Sequence, residues 1–322
     1  MIRVERLSRE YGSVKAVDRL DFEIGRGEIV GFLGPNGAGK TTTMRMLTTY
    51  LPPSSGRANL AGHDVLDEPL EVRRKVGYLP ENVPLYPEMR VREFLDFRAK
   101  LKDVPRSRRQ AAVDGVIEQC KLKEVEDRIV GNLSKGFRQR VGLAEAMVHD
   151  PDILILDEPT AGLDPIQVRE VRSLIKMLGS KHTVLLSTHI MPEVEAVCGR
   201  VIVIVHGRIA LDEDLQKLKL ENSIEIEIRG SAEGARKSLA SAQGVTKVQE
   251  LRRDGDSTTF EVQTRDGADM REFLAKRVQE SGFGLRRLDR RRSTLEDRFV
   301  EAVRAATLSQ AKESAEGDAK RR

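Results

Sequence analysis

A chain of 322 residues has room for one large domain and a smaller companion. Its 39% hydrophobic residues suffice for a packed core, and its 33% charged residues suit a solvated surface. The net charge of +4 favours anionic partners without choosing among phosphate, lipid headgroups and nucleic acid. No apolar run reaches the roughly 18 residues needed to span a bilayer, and the start Met1-Ile2-Arg3-Val4-Glu5-Arg6 is not a secretory signal. The expected location is therefore cytosolic. Cys120 and Cys198 have no CxxC spacing and form no disulfide framework, so they read as small buried side chains.

In chain order, Ile29–Leu33 is a short apolar run that predicts a buried strand. Ile153–Leu156, Val184–Leu186 and Val201–Val205 predict the same, and runs apolar on both faces suit a sheet covered on both sides. Between about residues 86 and 145 the pattern turns helical and charged, with Phe94, Leu95, Phe97 and Leu101 near one face. After Lys219, Ile224, Ile226 and Ile228 alternate with Glu225 and Glu227, and Phe260 and Val262 repeat that period. The order strand, helix, two strands, helix, strand predicts a small ferredoxin-like α+β domain at 221–305, following a first domain at 1–218. Met270, Phe273, Leu274 and Val278 supply one helical face there. Ser293-Thr294-Leu295-Glu296 reads as a capping box opening a last helix. The small and charged residues of 306–322 predict a disordered tail.

The chemistry starts at Gly34-Pro35-Asn36-Gly37-Ala38-Gly39-Lys40-Thr41, which fits G-x-x-x-x-G-K-[ST] between a strand and the helix-capable Thr42-Thr43-Met44. Glycines let successive N–H groups wrap a phosphate chain, and the helix N-terminus adds free donors and partial positive charge. Lys40 is expected on the β- and γ-phosphates of ATP, and the Thr41 hydroxyl on Mg²⁺. Asp157 and Glu158 end the apolar run Ile153–Leu156, where open α/β sheets bind ligands. Asp157 is the expected Mg²⁺ ligand, and Glu158 the expected general base for the attacking water.

Leu133-Ser134-Lys135-Gly136-Phe137-Arg138-Gln139-Arg140, lying between these two motifs, resembles the signature of the ATP-binding-cassette (ABC) family. The resemblance implies a P-loop NTPase of ABC type, with a mixed α/β sheet core and a helical subdomain. It also implies that Ser134 and the N–H of Gly136 touch the γ-phosphate of ATP held by an opposite subunit. Lys135 and Phe137 depart from the family's Gly and Gln at those positions. Asp164, in Ala161-Gly162-Leu163-Asp164, resembles the residue that reaches across the dimer. His189, in Ser187-Thr188-His189, resembles the switch histidine that senses the γ-phosphate, whereas His63, His149, His182 and His206 lack such a context. Tyr11 stands where the family places an aromatic over adenine. Glu81, in Gly77-Tyr78-Leu79-Pro80-Glu81-Asn82, replaces the usual Mg²⁺-sensing glutamine, a variant similar to exporters of gliding-motility and multidrug type.

The resemblance implies an ATP-hydrolysing exporter subunit, peripheral on the inner face of the membrane. It pairs with a second copy or a related ATPase around two ATP molecules and drives an integral membrane permease on a separate chain. Docking is placed around Glu81–Glu88 and the helical insertion. Two rivals fit the motifs less well. A soluble ABC ATPase of ribosomes or nucleic acid usually carries two cassettes or a long coiled-coil insertion, and no specific nucleic acid is expected here. An idle nucleotide-binding regulator would not need Lys40, Asp157, Glu158 and His189 together.

Overall fold

The computed structural model describes residues 1–220, 222–265, 268–292 and 294–321. It separates into two compact units, Met1–Glu213 with Phe299–Arg322, and Asp214–Arg298.

The larger unit holds two sheets. Strands β1 (Ile2–Tyr11) and β2 (Val14–Ile24) form an antiparallel hairpin, and β4 (Ser55–Leu60) and β5 (His63–Asp64) extend it in the order β2-β1-β4-β5. The second sheet contains β3 (Ile29–Leu33), β6 (Val76–Leu79), β7 (Ile153–Asp157), β8 (Thr183–Thr188), β9 (Arg200–Val205) and β10 (Arg208–Asp214), ordered β10-β9-β3-β8-β7-β6. From β9 to β6 the pairing is parallel.

Every residue of β7 and β8 is buried, as continuous apolar runs require when both faces are covered. Strand alternation then divides β7 between two cores. Leu154 and Leu156 face one built with the helices α3 (Val91–Leu101), α4 (Arg106–Gln119) and α5 (Lys135–Met147). Ile153 and Ile155 face another built with the antiparallel sheet and with α1 (Lys40–Leu47) and α2 (Pro69–Lys75). The helical segment predicted at 86–145 is therefore a layer against one face of the sheet. Its buried stripe on α3 is Val91, Phe94, Leu95 and Ala99; Phe97 is only half-buried and Leu101 is exposed, a correction to the predicted face. Helices α6 (Pro165–Leu178) and α7 (Met191–Val197) complete this unit's crossovers.

Parallel pairing gathers the carboxyl ends of β3, β6, β7 and β8 on one edge, so the residues after Leu33, Leu79, Leu156 and Thr188 all emerge together. That edge is where the predicted phosphate loop, Glu81, the acidic pair and His189 lie.

The second unit contains α8 (Leu215–Leu220), β11 (Asn222–Arg229), α9 (Ala232–Ala240), β12 (Val245–Asp254), β13 (Ser257–Thr264), α10 (Arg271–Glu280) and β14 (Gly284–Arg292). Its antiparallel sheet has the order β12-β13-β11-β14, the ferredoxin-like arrangement expected from the element order. Ile224, Ile226, Ile228, Phe260, Val262, Leu274 and Val278 form its core, whereas Phe273, grouped with that helical face in the sequence, is exposed. The last helix, α11, runs Leu295–Arg321 through the segment whose polarity predicted disorder. Its Ala, Glu, Gln and Lys residues carry the helix propensity that the polarity argument ignored. The capping-box residue Ser293 lies outside the described residues, while Thr294 Oγ1 accepts from the Asp297 N–H at 3.2 Å.

Candidate functional site

Glycine placement shapes the phosphate loop. Gly37 and Gly39 adopt φ of 78° and 106°, in the left-handed region that favours glycine. A Cβ on Gly34 would come within 2.4 Å of the Ile204 carbonyl oxygen, and one on Gly39 within 2.5 Å of the Ala16 carbonyl oxygen. The loop thus bends tightly against β9 and β2, and α1 opens after it with no side-chain cap, leaving its first N–H groups free for an anion. The buried Lys40 ammonium donates to the carbonyls of Gly34 (2.8 Å) and Pro35 (3.2 Å) and sits 3.5 Å from Glu158 Oε1.

At the end of β7, Asp157 is fully buried. Its Oδ1 accepts from Thr41 Oγ1 at 3.3 Å and from Ser187 Oγ, while Oδ2 has no hydrogen-bond partner among the described residues. A buried carboxylate oxygen without a donor is costly unless a cation or water completes it. The pair Thr41 and Asp157 is the hard-oxygen donor set that Mg²⁺ takes when phosphate oxygens and waters fill its remaining positions. Among the described residues no three His, Cys, Asp or Glu side chains are gathered into a ready-made metal cluster.

Glu158 adopts φ 48°, an uncommon backbone for a non-glycine residue, and its N–H is held by the Ser187 carbonyl (3.1 Å) and Ser187 Oγ (3.2 Å). Both carboxylate oxygens lie 3.0 Å from His189 Nδ1. Lys40, Glu158 and His189 therefore form one contact chain at the strand edge. They line a cavity of about 380 Å³ together with Asn36, Gly37, Gly39, Thr41, Thr42 and Glu81.

The sequence profile of the ABC transporter family matches residues 17–161. The bacitracin transport ATP-binding protein BcrA of Bacillus licheniformis is 33% identical over 310 residues, covering 96% of this chain and 99% of its own. The daunorubicin resistance ATP-binding protein DrrA3 of Streptomyces coeruleorubidus is 34% identical over 304 residues, covering 93% and 94%. A solved ATP-binding subunit of an ABC transporter superposes with a TM-score of 0.62 at 28% identity, over 68% of this chain and 92% of that one. The chain belongs to the ABC transporter ATP-binding family.

As in that family, it is an ATPase of P-loop fold that binds ATP. Other residues predicted for the ABC site lie outside the cavity. Gly34, Pro35 and Ala38 form the loop's body, and Asp157 sits beneath it. Tyr11 ends β1, exposed, with the Arg9 guanidinium 4.9 Å from its ring centre, a cation–π contact that keeps the ring beside the solvent. Ser134 caps α5, its Oγ accepting from the Phe137 N–H at 3.4 Å. Gly136 is packed so closely that a Cβ would lie 2.6 Å from the Gln167 side chain. Asp164 caps α6, accepting from the N–H groups of Ile166 (2.9 Å) and Gln167 (3.0 Å).

The two departures from the family signature have local partners. A Cβ on Gly162 would lie 2.2 Å from Lys135 Nζ, so the ammonium rests on the 161–164 loop. The Phe137 ring lies under the Arg140 guanidinium at 5.3 Å, and Arg140 is ion-paired with Glu170 on α6. Lys135 thus ties the start of α5 to the 161–164 loop, and Phe137 packs under the arginine that pairs with α6.

Sequence reasoning missed three polar residues around this corner: Ser187, Thr160 and Glu193. Ser187 follows from the strand register, because β8 pairs Asp157 directly with it. Glu193 gave no signal, since an acidic residue in a helix's first turn is ordinary.

Proposed function

We propose that this ATPase is the motor subunit of an exporter, positioned on the cytoplasmic face of a membrane, where it drives a separate membrane-spanning permease. The observation that carries the reading is the convergence of Lys40, Asp157, Glu158 and His189 on one strand edge above a glycine-wrapped helix N-terminus. The roles of the relatives in bacitracin transport and daunorubicin resistance support export. No helix among the described residues is long and apolar enough to cross a membrane, in keeping with a permease on another chain.

In this reading the residues of 34–42 bind the phosphates of ATP, and Tyr11 stacks on the base. Lys40 exchanges its carbonyl partners for the β- and γ-phosphate oxygens. Thr41 and Asp157, with Glu81 on the cavity wall, are the residues that would hold Mg²⁺, and the cation would offset negative charge on the γ-phosphate. Glu158 accepts a hydrogen bond from the attacking water and takes its proton as the γ-phosphoryl group departs in line. His189, bonded to Glu158, turns toward the γ-phosphate and holds the water and the phosphoryl group in register. Ser134, Gly136 and Asp164 complete the site of a second copy, so that two ATP molecules are enclosed by two chains. The exposed Tyr86, stacked edge-on against Phe94 (5.9 Å) and Phe97 (5.7 Å), supports the 81–88 loop and the helical layer as the permease contact.

The decisive experiment uses Glu158→Gln, which is expected to bind ATP while hydrolysing it far more slowly. With Mg²⁺ and ATP this variant is expected to elute as a dimer, and without nucleotide as a monomer, measured by light scattering. A variant that binds ATP yet remains monomeric at high concentration rejects the two-chain site. Capture from detergent-solubilised membranes is expected to return an integral membrane protein, and exclusive recovery of ribosomes or DNA rejects the exporter role.

A further inference from the structure

Glu193 is a carboxylate with 2% exposure, placed in the first turn of α7. Both of its oxygens accept a hydroxyl, and the two hydroxyls come from different catalytic loops. Oε1 accepts from Thr160, two residues past Glu158, and Oε2 accepts from Thr188 at 2.7 Å, the residue just before His189. Both threonines are buried. The Thr188 hydroxyl is itself an acceptor for the Ile190 N–H at 3.1 Å, and the Glu193 N–H donates to the Ile190 carbonyl at 3.0 Å. His189 therefore sits at the crown of a turn held on both flanks by one residue, Thr188 through the Glu193 carboxylate and Ile190 through the Glu193 N–H.

The positive charge nearest to Glu193 is on α6. Arg172 Nη2 lies 3.6 Å from Oε1, and its Nε is buried without a hydrogen-bond partner. A carboxylate buried this deeply needs donors on its lone pairs and a countercharge, or its ionised form is strongly disfavoured. The two hydroxyls and Arg172 meet that need. In doing so they join the 158–164 loop, the His189 turn and α6, the helix that Asp164 caps.

We propose that Glu193 is a positioning residue for ATP hydrolysis, holding the Glu158 loop and the His189 turn at a fixed separation so that both meet the same γ-phosphate. It is buried and does not line the cavity that Lys40, Glu158 and His189 share. Its effect lies in how far apart Glu158 and His189 are held, and displacements of about 1 Å at such distances are enough to cost rate. The proposal rests on Glu158 and His189 acting as described above.

The test compares Glu193→Gln, Thr188→Val and the double variant with Glu158→Gln and His189→Ala in the full-length chain, following Mg²⁺–ATP turnover and, separately, affinity for a fluorescent ATP analogue. Glu193→Gln is isosteric and retains one acceptor oxygen, so the fold survives, which its melting temperature verifies. The expected result is a kcat lower by about tenfold, with KM for ATP and analogue affinity within about twofold of the parent. Thr188→Val is expected to lower kcat by a similar factor, and the double variant to be no slower than the worse single one, because the groups act as a unit. Glu193→Asp, which restores the charge, is expected to recover part of the lost kcat. Unchanged kcat in Glu193→Gln, or a loss that appears only as lower melting temperature and higher KM, overturns the proposal while leaving Glu158 and His189 in place. Parent-like turnover in Glu158→Gln and His189→Ala overturns the underlying site assignment, and the role of Glu193 with it.

Discussion

Two buried carboxylates on the larger unit, Glu158 at the strand edge and Glu145 in the helical layer, have cationic neighbours and opposite degrees of completion. Glu145 Oε1 accepts from Arg98 Nε (2.8 Å) and Nη2 (2.6 Å) and lies 2.9 Å from Lys102 Nζ, which also donates to the Glu145 carbonyl at 2.7 Å. Burial alone would raise this carboxyl, but Lys102 and Arg98 together hold it below its ordinary range. Burial outweighs pairing at the Lys102 ammonium, which is held below the usual lysine range. At the strand edge the contacts are fewer: among the described residues the Glu158 carboxylate faces only His189 Nδ1 at 3.0 Å and the Lys40 ammonium at 3.5 Å, and the neighbouring Asp157 keeps one buried oxygen without a donor. The first arrangement is closed and serves packing. The second is open and gains its missing partners only when ligand arrives, which is what a site for a polyphosphate and its cation requires.

Replacing Glu158 breaks that contrast most strongly. Glu158→Gln is expected to lower kcat by about 10²–10⁴-fold, the range typical of a lost general base, while the melting temperature stays near that of the parent. A single-turnover measurement with excess enzyme checks it. A loss of stability with kcat retained would mean that Glu158, like Glu145, is a packing residue.

Replacing Glu145 is expected to do the reverse. Glu145→Ala strands Arg98 and Lys102 in the helical layer, and breaking a buried pair in this way costs about 3–5 kcal/mol. Denaturant unfolding should show that loss, with ATP affinity within about twofold of the parent once the chain is folded. The pH dependence follows from the direction of the shift. A folded-state carboxyl held below its unfolded value of 4.5 contributes stability at higher pH and loses it as pH falls through the folded value. Acid unfolding of the parent below about pH 4.5 should therefore be steeper than that of Glu145→Gln.

The same contrast explains which parts of the protein were legible in its sequence. The phosphate loop was readable because strand, glycines, Lys40 and helix are contiguous, so the chain itself sets their geometry. Asp157 and Glu158 were readable because a buried parallel strand has one exit, and the strand's apolar run points to it. The ferredoxin-like second unit was readable from period and element order. Closed polar networks were not. Glu145 meets Arg98 and Lys102 across 43 or more positions, and Glu193 meets Thr160 across 33. No local pattern distinguishes those acids from solvated ones. Asp164 and Ser134 fall between these cases: their motifs were visible, but the helix caps they form emerged only from the three-dimensional arrangement.

The smallest expected effect uses the two cysteines as reporters on the two regions. Cys120 ends α4 inside the helical layer's core, and Cys198 packs beneath β3, its Sγ 3.2 Å from where a Cβ on Gly31 would lie. Burial pushes both thiols up to about 12. At pH 8 the thiolate fraction is then about a thousandfold below that of a free cysteine, so labelling by a disulfide reagent requires local opening. In Glu145→Gln, which weakens the knot holding α3 to α5, Cys120 is expected to label severalfold faster, while Cys198 keeps its parent rate. Glu158→Gln should alter neither, since the open corner is not what holds together the core that both cysteines pack into. Equal acceleration of both cysteines in Glu145→Gln would mean that the helical layer and the sheet open as one cooperative unit, and that the closed carboxylate stabilises the whole cassette rather than its own layer.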